Sequence, residues 1–284
     1  MLIRWGFVVL LAIAAFAAGR TFYAAPANKV ETRLERVKRT GVIRCGYFIA
    51  PTVTERDPNT GRMHGLSVEL FEEMARQLSL KIEWTTEAAL PQMPTDLSTG
   101  RYDVLCSPLF VTPGRVRETD YLKPVLFYPA YLFVREGDTR FDHNYAAVNA
   151  ETTKLTTIDG EFAAIAAQEN FPKAQKIALP QTANGSDLFL DVEGKKADGV
   201  ITDSYIFAQY AKKNPGKIRR VEGPPVRVMP VSYALAANET GLKNMLDLTI
   251  DCLMGSGYLD RLLDKYEQPE NPFLRLPKPY ILPQ

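Results

Sequence analysis

At 284 residues the chain is long enough for two ordinary domains or one large one. Hydrophobic residues make up 46% and charged residues 24%, an ordinary globular balance. The net charge of +1 and the lack of a long basic run exclude a charge-driven partner such as nucleic acid or an acidic membrane surface, and favour a small or neutral one.

In chain order, Arg4 precedes an apolar stretch, residues 5–18, with the length of a signal-peptide core and too short for a comfortable membrane span. Ala25-Pro26-Ala27 supplies a small-x-small cleavage signal. Arg20, Phe22 and Tyr23 lie between the two, so an uncleaved N-terminal anchor is the alternative. Segment 1–27 is therefore expected to be a signal peptide or anchor that places the folded part in an oxidising, periplasmic space.

Residues 28–40 carry Val30, Leu34 and Val37 at helical spacing, stopped by Gly41. A short strand is expected over 42–45, then a polar loop over 54–63 with the turn residues Asp57-Pro58-Asn59-Thr60-Gly61. A helix opening at Gly65 buries Val68, Leu70, Phe71, Met74 and Leu78. Strand 80–84, a helix with Leu90, Met93 and Leu97, and a strand from Asp103 complete a first unit. The alternation predicts an α/β fold with a largely parallel sheet.

Residues 129–134 read as an extended strand leaving this unit. A second alternating unit follows, with strands at 155–158, 175–179 and 199–202 and helices at 161–170, 185–193 and 204–212. A second extended stretch spans 231–237. Residues 239–266 read as helix broken at Gly255-Ser256-Gly257, and the Pro-rich tail from Gln268 as irregular. Two similar units joined by two extended segments predict two lobes: 28–132 with 232–284, and 133–231. The hinge crossings are expected at roughly 130–136 and 228–234.

The three cysteines, Cys45, Cys106 and Cys252, show no C-x-x-C spacing, so neither a zinc ribbon nor a thioredoxin-like site is indicated. Cys45 and Cys106 each lie near the end of a predicted strand. A disulfide and two small buried thiols both fit that placement. Cys252 falls in a helical pattern and is expected in the core.

Several stretches together resemble the family 3 extracellular solute-binding proteins, the amino-acid-type receptors of bacterial ABC importers. Residues 34–46, LERVKRTGVIRCG, look like the family's opening helix and first strand. NTGRMHGLSVEL at 59–70 is similar to its "G-k-x-x-G-f-d-v-D-l" signature, and LSTGRYDV at 97–104 to "L-x-x-G-x-y-D-v". Thr112-Pro113-Gly114-Arg115 matches "T-x-x-R", and KKADGVITDS at 195–204 resembles "G-x-x-D-a-v-v-x-D". The resemblance implies a two-lobed periplasmic-binding-protein fold of type II, with two mixed sheets and two hinge crossings. It also implies that Arg115 grips a ligand α-carboxylate and Asp203 an α-amine.

In open α/β sheets ligands sit outside the carboxyl ends of the strands. That rule gathers Tyr47, Ser107, Phe110, Thr112, Arg115, Gly160, Glu161 and Asp203 around one cleft. Arg115 offers a planar fork of donors suited to a carboxylate; its structural alternative is a surface pair with Glu118. Asp203 either caps the helix starting at Ser204, or binds ligand, or does both. Tyr47 and Phe110 are taken as cleft aromatics, Phe48 as core, and Glu69 as a first-turn helix charge rather than a ligand contact. Pro108 and Phe110 depart from the family pattern before the arginine, and proline offers no N–H. Glu161 stands where the family commonly has a small hydroxyl residue, so the ligand need not be an ordinary α-amino acid.

The two histidines, His64 and His143, lie far apart in polar sequence and are expected at the surface. No H-E-x-x-H, G-x-S-x-G or P-loop is present, and no zinc-ligand cluster. The reading is therefore a non-enzymatic receptor without cofactor or metal, monomeric, that captures an amino acid or related carboxylate by hinge closure. Its expected partner is an ABC permease, with the membrane reached only through the leader or the permease. A periplasmic lyase or dehydratase on the same fold, and a membrane-tethered sensor, are the alternatives.

Overall fold

The computed structural model describes residues 31–269 and 273–277. The expected leader, with its 25–27 site, lies outside the described residues, as do residues 28–30 of the first predicted helix. No described helix is long and apolar enough to cross a membrane.

Helix α1 (Arg33–Thr40) starts where Thr32 and Glu35 form a reciprocal capping box and stops at Gly41 in the left-handed conformation. Strand β1 (Val42–Tyr47) follows. The expected polar loop is instead a small hairpin, β2 (Glu55–Arg56) with β3 (Met63–His64). Its turn closes because the Asp57 carboxylate accepts the backbone N–H groups of Asn59 and Thr60, at 2.8 Å each. Helix α2 (Leu66–Gln77) begins at Gly65, where φ is +118° and a Cβ would lie 2.5 Å from the Val53 carbonyl oxygen. Next come β4 (Lys81–Glu87), α3 (Met93–Ser98), β5 (Val104–Phe110), the short turn α4 (Pro113–Val116), β6 (Thr119–Tyr121) and the long β7 (Leu126–Arg135).

The second unit runs β8 (Lys154–Ile158), α5 (Phe162–Asn170), β9 (Gln175–Leu179), α6 (Gly185–Glu193), β10 (Gly199–Asp203), α7 (Ser204–Lys213) and β11 (Ile218–Arg220). The long β12 (Arg227–Ala236) returns the chain, followed by α8 (Thr240–Gly255), α9 (Tyr258–Tyr266) and β13 (Leu274–Arg275). The tail, read as irregular, thus adds a two-residue strand. It holds because β13 pairs with Phe127 and Leu126 of β7, a tertiary partner no local pattern reveals.

The strand order β4-β1-β5-β12-β7-β10-β8-β9 defines two lobes that share their middle. β4, β1 and β5 run parallel in the first lobe, and β10, β8 and β9 in the second. The crossing strands β7 and β12 are antiparallel and pair with each other from Leu126–Val231 to Ala130–Arg227. The ladder is therefore continuous through both lobes instead of broken at the crossings. Each lobe has its own core: one around Phe71, Met74, Val104, Tyr233 and Leu246, another around Leu132, Leu155, Phe162 and Ile201.

Two aspartates in the recognised motifs act as fasteners. Asp103 is fully buried, accepts from Arg44 N at 2.8 Å and pairs with the guanidinium groups of Arg36 and Arg44. The partly buried Asp198 fastens the second lobe, accepting from Lys154 N at 2.8 Å and from Arg140 at 2.7 Å. Cys45 and Cys106 form a disulfide across the neighbouring strands β1 and β5, with a Cα–Cα distance of 5.5 Å. Cys252 is exposed, contrary to expectation. The buried stripe of α8 runs through Leu242, Leu246, Thr249, Ile250 and Leu253, leaving Cys252 on the outward stripe with exposed Leu248 four residues before it. Both histidines are exposed, His64 beside Glu55 and His143 beside Glu222.

Candidate functional site

A cavity of about 210 Å³ lies between the lobes, at the carboxyl ends of the strands. The end of β1 contributes Phe48, and β5 with its following turn contributes Pro108, Phe110 and Arg115. The crossing strands form its back with Tyr128 and Tyr233. The second lobe closes it with Glu161, Asp203, Tyr205 and Ile206. Most of the lining is apolar or aromatic, as small-molecule sites generally are.

Arg115 reaches the cavity because Thr112 ends the strand and starts a tight turn, its hydroxyl accepting from Arg115 N at 3.5 Å. The guanidinium does not pair with Glu118. Its Nη1 donates to the Phe110 carbonyl at 3.2 Å, and its Nη2 donates to the Glu161 carboxylate from the opposite lobe. The Arg115 side chain is 13% exposed and that of Glu161 30%, so the pair is partly shielded from water.

Glu161 occupies the N-cap position of α5, directly after Gly160 in the left-handed conformation, yet its side chain caps nothing. It spans the cleft instead. Beside this contact the Phe110 and Phe162 rings meet at 5.1 Å, and the Tyr205 hydroxyl donates to the Pro51 carbonyl at 2.8 Å. Among the described residues, these three contacts bridge the lobes beside the cavity.

Asp203 is 2% exposed and lines the cavity. It also caps α7, its Oδ1 accepting from Ile206 N at 3.0 Å. Burial raises its carboxyl above the ordinary aspartate value, against the pull of the Ile206, Asp203 and Tyr205 backbone N–H groups and Thr202. Burial likewise pushes the Tyr205 and Tyr233 phenols up, and the Tyr233 hydroxyl lies 3.0 Å from that of Ser67.

The structure brings Arg115, Asp203, Phe110 and Glu161 together in the cavity, while Gly160 lines an adjoining outer groove. Three further candidates line neither the cavity nor the groove. Ser107 clamps strand ends, donating to Phe48 O at 2.8 Å and accepting from Phe48 N at 3.0 Å. Thr112 serves the turn. Tyr47 is buried against Met63, Val68 and Trp84. Tyr47 and Phe48 were expected the other way round; successive side chains along a strand face opposite sides, so only one of the two enters the cavity. Glu69 does not line the cavity; it binds Lys265 and the Tyr266 hydroxyl and ties α9 to α2. The sequence reading missed Tyr128, Tyr205 and Tyr233. Tyr205 follows Asp203 by two residues, a signal that was available, whereas the other two are set by how the crossing strands pair.

The chain belongs to the bacterial extracellular solute-binding proteins, family 3, which it matches over residues 46–269. It is 20% identical over 239 residues to a probable amino-acid ABC transporter-binding protein of Haemophilus influenzae, covering 83% of this chain and 87% of the relative. An ancestral amino acid-binding protein, a precursor of cyclohexadienyl dehydratase, superposes with a TM-score of 0.67 at 22% identity, over 84% of this chain and 100% of its own. A solute receptor for L-cysteine from Neisseria gonorrhoeae superposes with a TM-score of 0.65 at 19% identity, over 86% of this chain and 99% of its own. These likenesses establish the type II periplasmic-binding-protein fold.

Proposed function

We propose that this chain is a periplasmic receptor that captures one small, amine-bearing solute of amino-acid size by closure of its lobes, and presents the closed form to an ABC permease. The observation that carries this reading is a cavity lined by both Arg115 of the first lobe and Asp203 of the second. A ligand touching both lobes stabilises their closed arrangement by its differential affinity for it. The hinge in this proposal is the stretch where β7 and β12 pair with each other, 126–130 and 227–231. Among the described residues, the lobes on either side of it are then 31–125 with 232–269 and 273–277, and 131–226. The names of the relatives support an amino acid or a close derivative as ligand and a permease as partner.

Binding without turnover is part of the proposal. Apart from tyrosines, the ionisable groups of the lining are Arg115, Glu161 and Asp203, and two of these are bonded to each other. Native mass spectrometry of the exported protein should show one small molecule bound at unit stoichiometry, and refolded ligand-free protein should gain melting temperature when that molecule is restored. Conversion of the bound molecule into a product would overturn the reading in favour of a lyase or dehydratase.

A further inference from the structure

Resting on the receptor reading above, we propose that Glu161 is a built-in carboxylate that fills the ligand-carboxylate slot at Arg115, so that the cavity selects a small apolar amine carrying no carboxylate of its own.

The guanidinium that would grip a ligand carboxylate is already engaged, by Glu161 across the cleft and by the Phe110 carbonyl at 3.2 Å. Glu161 is free to do this because its side chain leaves the helix N-terminus uncapped. Arg115, Glu161 and Leu90 line both the cavity and the outer groove, so the ion pair forms the partition between the two. An incoming carboxylate has two choices. It displaces Glu161 and breaks the partly shielded ion pair with Arg115, or it sits beside Glu161 and meets like charge. Either is a penalty that an amine escapes, and specificity is a difference of affinities.

With Arg115 and Glu161 cancelling, Asp203 is the one remaining Asp, Glu, Lys, Arg or His in the lining. An ammonium group placed against Asp203 supplies the counter-charge that this buried carboxylate lacks, and the rings of Tyr128 and Tyr205 stand in the same lining to face a cation. Phe48, Pro108 and Val231 then receive an aliphatic or aromatic tail. The volume, about 210 Å³, exceeds the ~150 Å³ that suffices for a benzene ring.

Matched probes test this on the full exported protein. 2-Phenylethylamine and isoamylamine are compared by calorimetry and thermal shift with phenylalanine, leucine and 3-phenylpropionate. The wild type is expected to bind each amine at least about tenfold more tightly than its amino acid, and the acid not measurably. In Glu161→Gln the freed Arg115 should improve amino-acid binding about tenfold and erase that preference, whereas Asp203→Asn should lose the amines. An amino acid that outbinds its amine in the wild type overturns the proposal whether or not the variants fold, and so does a preference unchanged in Glu161→Gln. Failure of every probe in every form also overturns it, while the receptor reading is judged separately by whether a native ligand copurifies.

Discussion

Asp203 meets two demands at once. As the cap of α7 it accepts a backbone N–H, which favours its ionised form, while burial favours its neutral form and prevails. A carboxyl raised in the folded state holds its proton more tightly there than in the unfolded chain. Its contribution to stability is therefore full below the ordinary aspartate value of 3.8 and is lost as pH rises through the folded value. Asp203→Asn keeps a capping oxygen and removes the titration. Ligand-free protein carrying this change should lose less melting temperature than wild type between pH 4 and pH 7; parallel losses would show that Asp203 is not strained by its burial.

Strand pairing in the first lobe is fastened covalently and electrostatically at neighbouring points. The Cys45–Cys106 bridge joins β1 to β5, and Asp103 ties α1 and β1 to the start of β5. Closing a loop of 61 residues restricts the unfolded chain, so the Cys45→Ser/Cys106→Ser variant should be about 2–4 kcal/mol less stable in urea denaturation. Equal midpoints for that variant and wild type would mean that the bridge contributes nothing beyond the packing of β1 on β5. Gly46 lies beside this bridge for a steric reason: a Cβ there would be 2.7 Å from the Tyr102 ring.

Three contacts among the described residues bridge the two lobes beside the cavity: the Arg115–Glu161 pair, the Phe110–Phe162 rings and the Tyr205–Pro51 hydrogen bond. The crossings between the lobes are only two strands wide, which suits hinge motion with small backbone changes. Phe162→Ala removes one of these contacts together with part of the second lobe's core, so retained folding is checked first by circular dichroism. Small-angle scattering of the ligand-free variant should show a larger radius of gyration than wild type, and a saturating native ligand should bring both to the same smaller value. An unchanged radius in the variant would mean that the Phe110–Phe162 contact does not hold the cleft closed.

Much of this arrangement could be read along the chain. Alternating apolar periods, the Gly41 stop, the Gly65 start and the ordered motifs disclosed the α/β units, the two crossings and the cavity residues Arg115, Phe110, Glu161 and Asp203. These signals are local, because helix and strand periods and cap chemistry act within a few residues. Partners distant in sequence decided the rest. β13 exists because β7 offers an edge, Tyr128 and Tyr233 reach the cavity through the β7–β12 pairing, and Tyr47 and Phe48 exchange places with the face each takes at the end of β1. Above all, the sequence shows an arginine and a glutamate 46 positions apart, and only folding both lobes over one cleft makes them neutralise each other.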